Sequence, residues 1–181
     1  SGTATQIGGL VGYANAAQTI SSSYNTGDVS NSTGSNGMGG LIGYSNGSST
    51  VTNSYNAGSV SGKKNTGGLI GHTRSALTLT SSYNTGAMSS SDYNLGGLIG
   101  YANASITLTS SYNTGPVSGT ANYIGGLVGH VSASNTLTSS YNTGDITGND
   151  SVGGLVGYSN SAFLEIDTSY NTGDIRNTST S

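Results

Sequence analysis

The chain has 181 residues, 32% of them hydrophobic and only 6% charged, with 31 glycines, one proline and no cysteine. A formal charge of −3 and four scattered bases, Lys63, Lys64, Arg74 and Arg176, supply no basic stripe for phosphates, so no nucleic-acid partner is expected. Without cysteine there are no disulfides, thiolate zinc sites or cysteine nucleophiles, and no apolar run is long enough for a membrane-spanning helix, so no membrane insertion is expected.

Low hydrophobicity often accompanies disorder, but disordered chains usually carry much charge and lack regular apolar positions. Here charge is scarce and the apolar positions recur, so an ordered chain is expected. It starts at Ser1 rather than methionine, which fits either a removed leader or a fragment of a larger protein.

The recurrence is an internal repeat. Paired glycines start at Gly8, Gly39, Gly67, Gly96, Gly125 and Gly153. The tyrosine of a Ser-Tyr-Asn motif falls at Tyr24, Tyr55, Tyr83, Tyr112, Tyr141 and Tyr170, with spacings of 31, 28, 29, 29 and 29. Six units of about 29 residues follow, near 8–38, 39–66, 67–95, 96–124, 125–152 and 153–181, within a single domain over 1–181. Length differences fall between the motifs, as they do when each unit is one coil of a stack. The expected class is all-β: one β-solenoid of six coils, three short strands to a coil and three-sided.

In chain order, a unit opens with Gly-Gly-Leu-Val/Ile-Gly-Tyr/His, whose leucines (Leu10, Leu41, Leu69, Leu98, Leu127 and Leu155) form one inward column. Strict alternation then sends Val11, Tyr13 and their copies outward, an apolar stripe open to self-association. The alternative is that the glycines twist the strand and bury both Leu and Val, and this reading is favoured. Gly9, Gly12 and their copies allow sharp turns or close backbone approach.

After a variable loop, Thr-h-Thr-Ser-Ser-Tyr (h is apolar) alternates as a strand does. Ile20, Val51, Leu79, Leu108, Leu137 and Ile166 share parity with the tyrosines, and both sets are placed inward. Asn25, Asn56, Asn84, Asn113, Asn142 and Asn171 follow and are expected to form a hydrogen-bonded ladder at a corner. Val29, Val60, Met88, Val117, Ile146 and Ile175 form the third inward column.

The segments Gly9-Leu10-Val11-Gly12, Gly40-Leu41-Ile42-Gly43, Gly68-Leu69-Ile70-Gly71, Gly97-Leu98-Ile99-Gly100, Gly126-Leu127-Val128-Gly129 and Gly154-Leu155-Val156-Gly157, each followed by Ser-Tyr-Asn, resemble the GLUG motif. That repeat occurs in secreted and surface-attached bacterial proteins, including adhesins and certain IgA-cleaving peptidases. The resemblance spans nearly the whole chain. It implies a secreted or cell-surface bacterial repeat domain, and it does not imply peptidase activity. A zinc peptidase would need a motif such as HExxH, whereas His72 and His130 each stand alone where other copies carry tyrosine.

Alternation leaves Thr19, Ser21 and Ser23 outward in the first coil, then Thr50, Thr52 and Ser54; Thr78, Thr80 and Ser82; Thr107, Thr109 and Ser111; and Thr136, Thr138 and Ser140. The sixth coil has Glu165, Asp167 and Ser169 instead. Threonine presents a methyl and a hydroxyl on a stiff, β-branched side chain. Spaced about 4.8 Å between coils and roughly 6.5–7 Å along a strand, the array can hold surface water in a regular pattern. It resembles the Thr-x-Thr faces of β-solenoid antifreeze proteins.

Ice binding is therefore the expected function. The candidate residues are Thr19, Ser21, Thr50, Thr52, Thr78, Thr80, Thr107, Thr109, Thr136 and Thr138. The alternative is a structural or adhesive segment that binds glycan or protein. Another outward row, Asp28, Ser59, Ala87, Pro116, Asp145 and Asp174, has no such regularity. Glu165 and Asp167 read as edge charges that discourage end-to-end stacking. Asp92, Asp145, Asp150 and Asp174 do not form calcium-binding nonapeptides. No enzyme activity, cofactor or metal is expected.

Overall fold

The computed structural model describes residues 5–32, 34 and 36–178. The expected domain limits, 1 and 181, lie outside these. The described residues contain strands, turns and bends but no helix, and they wind into six coils stacked as a parallel β-solenoid.

The third coil shows the plan. Its strands Val60–Gly67, Ile70–Thr73, Leu77–Thr80 and Tyr83–Asn84 belong to four different parallel sheets, called here the back, glycine, threonine and tyrosine sheets. Three were expected. The fourth is the two-residue tail of the Thr-h-Thr segment, cut off by a bend, and a three-sided outline is consistent with this division. Register repeats the motif: Thr78 pairs with Thr50 and Thr107, Leu79 with Val51 and Leu108, and Tyr83 with Tyr55 and Tyr112.

The bend overturns two expectations. Ser22, Asn53, Ser81, Ser110, Ser139 and Thr168 all have positive φ, between 46° and 50°. One left-handed residue shifts the inward–outward alternation by one place. The tyrosines therefore point out: Tyr24 is 57% and Tyr170 51% exposed, and the four between them are half-buried. The serines expected to complete the outward face turn inward instead, with Ser54, Ser82, Ser111 and Ser140 fully buried. There they satisfy the bend's backbone. Ser54 N–H donates to Ser82 Oγ at 3.1 Å, and Ser82 Oγ donates to Thr80 O at 2.9 Å.

Buried apolar side chains form two clusters. The first joins Leu41, Leu69, Leu98 and Leu127 with Val51, Leu79, Leu108 and Leu137. Ile42, Ile70, Ile99 and Val128 are also fully buried, as the favoured reading of the glycine motif expected. Each leucine sits at a corner, where one carbonyl serves two N–H groups: Leu41 O accepts from Leu10 N–H at 3.0 Å and from Val11 N–H at 2.9 Å. Adjacent residues can then both face the core. Only Tyr13 and its copies remain of the outward stripe, so the Val/Ile half of the self-association surface is not available.

The second cluster unites the Val60–Met88–Val117–Ile146 column with Met38, Leu95 and Ile124, each directly before a glycine pair. Burying one such side chain contributes roughly 1.5–3 kcal/mol, repeated at every coil.

Glycine and asparagine recur together for a packing reason. Asn56 Nδ2 donates to Asn84 Oδ1, and Asn84 Nδ2 to Asn113 Oδ1, both at 2.8 Å, and each amide also donates to the carbonyl two residues on. This is the expected ladder. A Cβ at Gly68 would fall 2.5 Å from Asn84 Cγ and 2.1 Å from Gly97 O, so the second glycine of each pair makes room for the ladder.

Candidate functional site

The threonine sheet carries the candidate residues as two outward columns. Thr19, Thr50, Thr78, Thr107 and Thr136 stand in one, and Ser21, Thr52, Thr80, Thr109 and Thr138 in the other, in parallel register without a shift. Between them Val51, Leu79, Leu108 and Leu137 point inward and are fully buried. Core packing on one side thus holds the surface side chains of the other in place. Thr19, Ser21, Thr50, Thr78 and Thr107 are exposed, and the remaining five are half-buried.

None of these ten hydroxyls has a hydrogen-bond partner among the described residues, whereas the serines of the neighbouring corner are tied to backbone. Ten hydroxyls and nine threonine methyl groups beside them thus face solvent on a regular grid. The pattern stops where Glu165 pairs with Thr136 and Asp167 with Thr138.

No protein family, curated protein or solved structure matches the chain.

The sheets on either side of the threonine columns carry aromatic rows that alternation alone did not place together. In the tyrosine sheet, Tyr24, Tyr55, Tyr83, Tyr112, Tyr141 and Tyr170 stack with centroids 4.8–5.1 Å apart and planes within 7°. Burial raises the Tyr112 phenol above its usual pKa, and Tyr141 and Tyr83 add to the shift, so it stays protonated at neutral pH. The signal for this row lay in the Ser or Asn at positions 22, 53, 81, 110 and 139, residue types that favour turns.

In the glycine sheet, Tyr13, Tyr44, His72, Tyr101, His130 and Tyr158 form the second row. His72 lies between Tyr44, edge-on at 4.7 Å, and Tyr101, stacked at 4.8 Å, and its buried Nε2 has no partner among the described residues. Burial, with Arg74 adding to it, pushes its pKa down to about 4. Burial also lowers that of His130, against which a hydrogen bond donated by its Nε2 to Asn160 Oδ1 acts.

A folded-state pKa below the unfolded value of about 6.5 means that the neutral form is the one the fold accepts. The contribution to stability is complete above pH 6.5 and is lost as pH falls toward 4. The melting temperature is therefore expected to fall across that window. His72→Tyr, which restores the residue of the other copies, should remove most of the fall. Equal pH slopes for the two proteins would contradict the assignment to His72.

A groove of about 730 Å³ crosses four coils on the back sheet, lined by the serine row Ser30, Ser61, Ser89 and Ser118 with Lys63. Hydroxyl-bearing residues and glycines make up most of its walls, with Asn31 and Lys63. Among the described residues no three His, Asp or Glu side chains converge as metal ligands would, and Glu165 and Asp167 sit on the open last coil without a third group.

Proposed function

We propose that this solenoid adsorbs to ice through Thr19, Ser21, Thr50, Thr52, Thr78, Thr80, Thr107, Thr109, Thr136 and Thr138. The observation that carries the reading is two outward, in-register columns, almost wholly threonine and free of charge over five coils, whose hydroxyls have no partner among the described residues. Hydroxyls left unpaired in this way anchor water, and the methyl groups beside them restrict where that water sits. With a strand step of about 4.8 Å and a residue-pair step of roughly 6.5–7 Å, the anchored layer approximates repeats of the ice lattice.

Each contact is weak, but many act together on a rigid backbone, so little conformational entropy remains to be lost on adsorption. Carboxylates hold water strongly in other geometries, and the replacement of the columns by Glu165 and Asp167 marks the limit of the adsorbing face. The resemblance of the glycine motif to GLUG repeats supports a secreted or cell-surface setting, where ice would be met.

Slow growth of an ice hemisphere from a dilute solution tests the reading. The protein should be enriched in the ice relative to a non-binding control of similar size. Exclusion of folded protein from the ice would reject the proposal.

A further inference from the structure

The tyrosine sheet has an organisation of its own that ice adsorption does not use. Two residues beyond each tyrosine stand Thr26, Ala57, Thr85, Thr114, Thr143 and Thr172, all exposed. They are held in register through the backbone, Thr85 N–H donating to Asn56 O and Thr114 N–H to Asn84 O, both at 2.9 Å. The sheet therefore presents a row of phenols and, about 6.5–7 Å away, a parallel row of threonine hydroxyls interrupted only at Ala57. No charge occupies either row in any coil, including the sixth, where the threonine columns have already become Glu165 and Asp167. The six phenol hydroxyls have no partner among the described residues, while the rings beneath them are fixed by mutual stacking and by the asparagine ladder.

We propose that this strip is a binding track for an uncharged, extended β-1,4-linked polysaccharide lying along the solenoid axis, one sugar ring to a coil. Four features select that class. The strip lacks charge, which turns away nucleic acids and acidic polymers as the preferred ligand. Its repeat of 4.8–5.1 Å is close to the advance of one pyranose ring in a fully extended β-1,4 chain. Both rows can donate and accept, which suits a ligand with hydroxyls along both edges. An added peptide strand would need open backbone groups, and in the interior coils these are spent between neighbours. An α-linked glucan coils away from the axis and would keep register over one or two rings only.

The test uses soluble six-ring oligosaccharides in titration calorimetry: cellohexaose and chitohexaose against maltohexaose, the α-linked comparator. At least one β-linked hexamer should bind, should bind more tightly than its three-ring homologue, and should be preferred over maltohexaose. Tyr83→Phe/Tyr112→Phe/Tyr141→Phe keeps the ring stack and removes three hydroxyls, and it should weaken binding at least about tenfold, which is about 1.4 kcal/mol. Thr80→Tyr, on the other face, should leave binding unchanged, which separates this track from ice adsorption. The assignment is overturned if neither β-linked hexamer binds, if maltohexaose binds equally well, or if the triple variant binds as the parent does.

Discussion

Thr80→Tyr and Thr109→Tyr are each expected to remove most of the ice activity while leaving the solenoid folded. Both positions lie in the second threonine column, flanked in register by Thr52 and Thr138. A phenol ring there rises well above the neighbouring methyl and hydroxyl groups and holds several coils away from a flat surface. Adsorption sums many weak contacts, so separation at mid-face costs far more than one contact, and each loss of about 1.4 kcal/mol is tenfold in the bound fraction. Stability should change by no more than about 0.5 kcal/mol, as for other surface substitutions away from caps and buried networks. Ala87→Tyr, at an exposed position just before the back-sheet strand Met88–Gly96 and outside the array, is the matched control and should leave activity unchanged. Ice shaping and circular dichroism on the three variants measure both halves. Full activity in Thr80→Tyr and Thr109→Tyr would move the adsorbing surface elsewhere, first to the Tyr/His row of the glycine sheet.

Gly71→Ala and Gly12→Ala should differ sharply although they alter the same letter of the same motif. A Cβ at Gly71 would lie 2.1 Å from Met38 N and 2.5 Å from Gly43 O, both backbone atoms of the preceding coil. Neither can yield without parting the glycine sheet from the back sheet, so a destabilisation above about 4 kcal/mol, or failure to fold, is expected. At Gly12 the nearest obstacle is Gln6 O at 3.3 Å, and a cost below about 1 kcal/mol is expected. Denaturant melts of the two variants decide the matter. Equal effects would mean that the glycines serve chain flexibility rather than the approach of two backbones.

The period, the three apolar columns and the asparagine ladder could be read from sequence because each depends on composition at a fixed position, and parallel stacking repeats that position without alteration. The orientation of the tyrosines could not. Alternation holds only along continuous extended backbone, and a single left-handed residue such as Ser81 changes parity without changing the length of the unit. Serine in the sequence is equally at home in a strand edge and in a bend, so Leu79 and Tyr83 looked alike when they face opposite ways.

The same bend moved Ser54, Ser82, Ser111 and Ser140 from the candidate face into the corner, leaving two columns rather than three. The threonine pairs themselves were placed correctly because they lie before the bend. The other half of the second apolar cluster was not legible, for a different reason. Met38, Leu95 and Ile124 lie at the end of the segment of variable length, where the repeat keeps no fixed spacing from the preceding motif, although an apolar residue precedes the glycine pair in five of the six units. The double burial of Leu41 and Ile42 needed the corner hydrogen bonds to explain it, because alternation permits only one of them to face inward.

The proposed adsorption to ice rests on a rigid, charge-free threonine grid over five coils. Thermal hysteresis with microscopy of crystal habit measures it most directly, on the unaltered protein at neutral pH. A gap between melting and freezing points that grows with protein concentration is expected, together with faceted crystals. Round, freely growing crystals at every concentration of folded protein would contradict it.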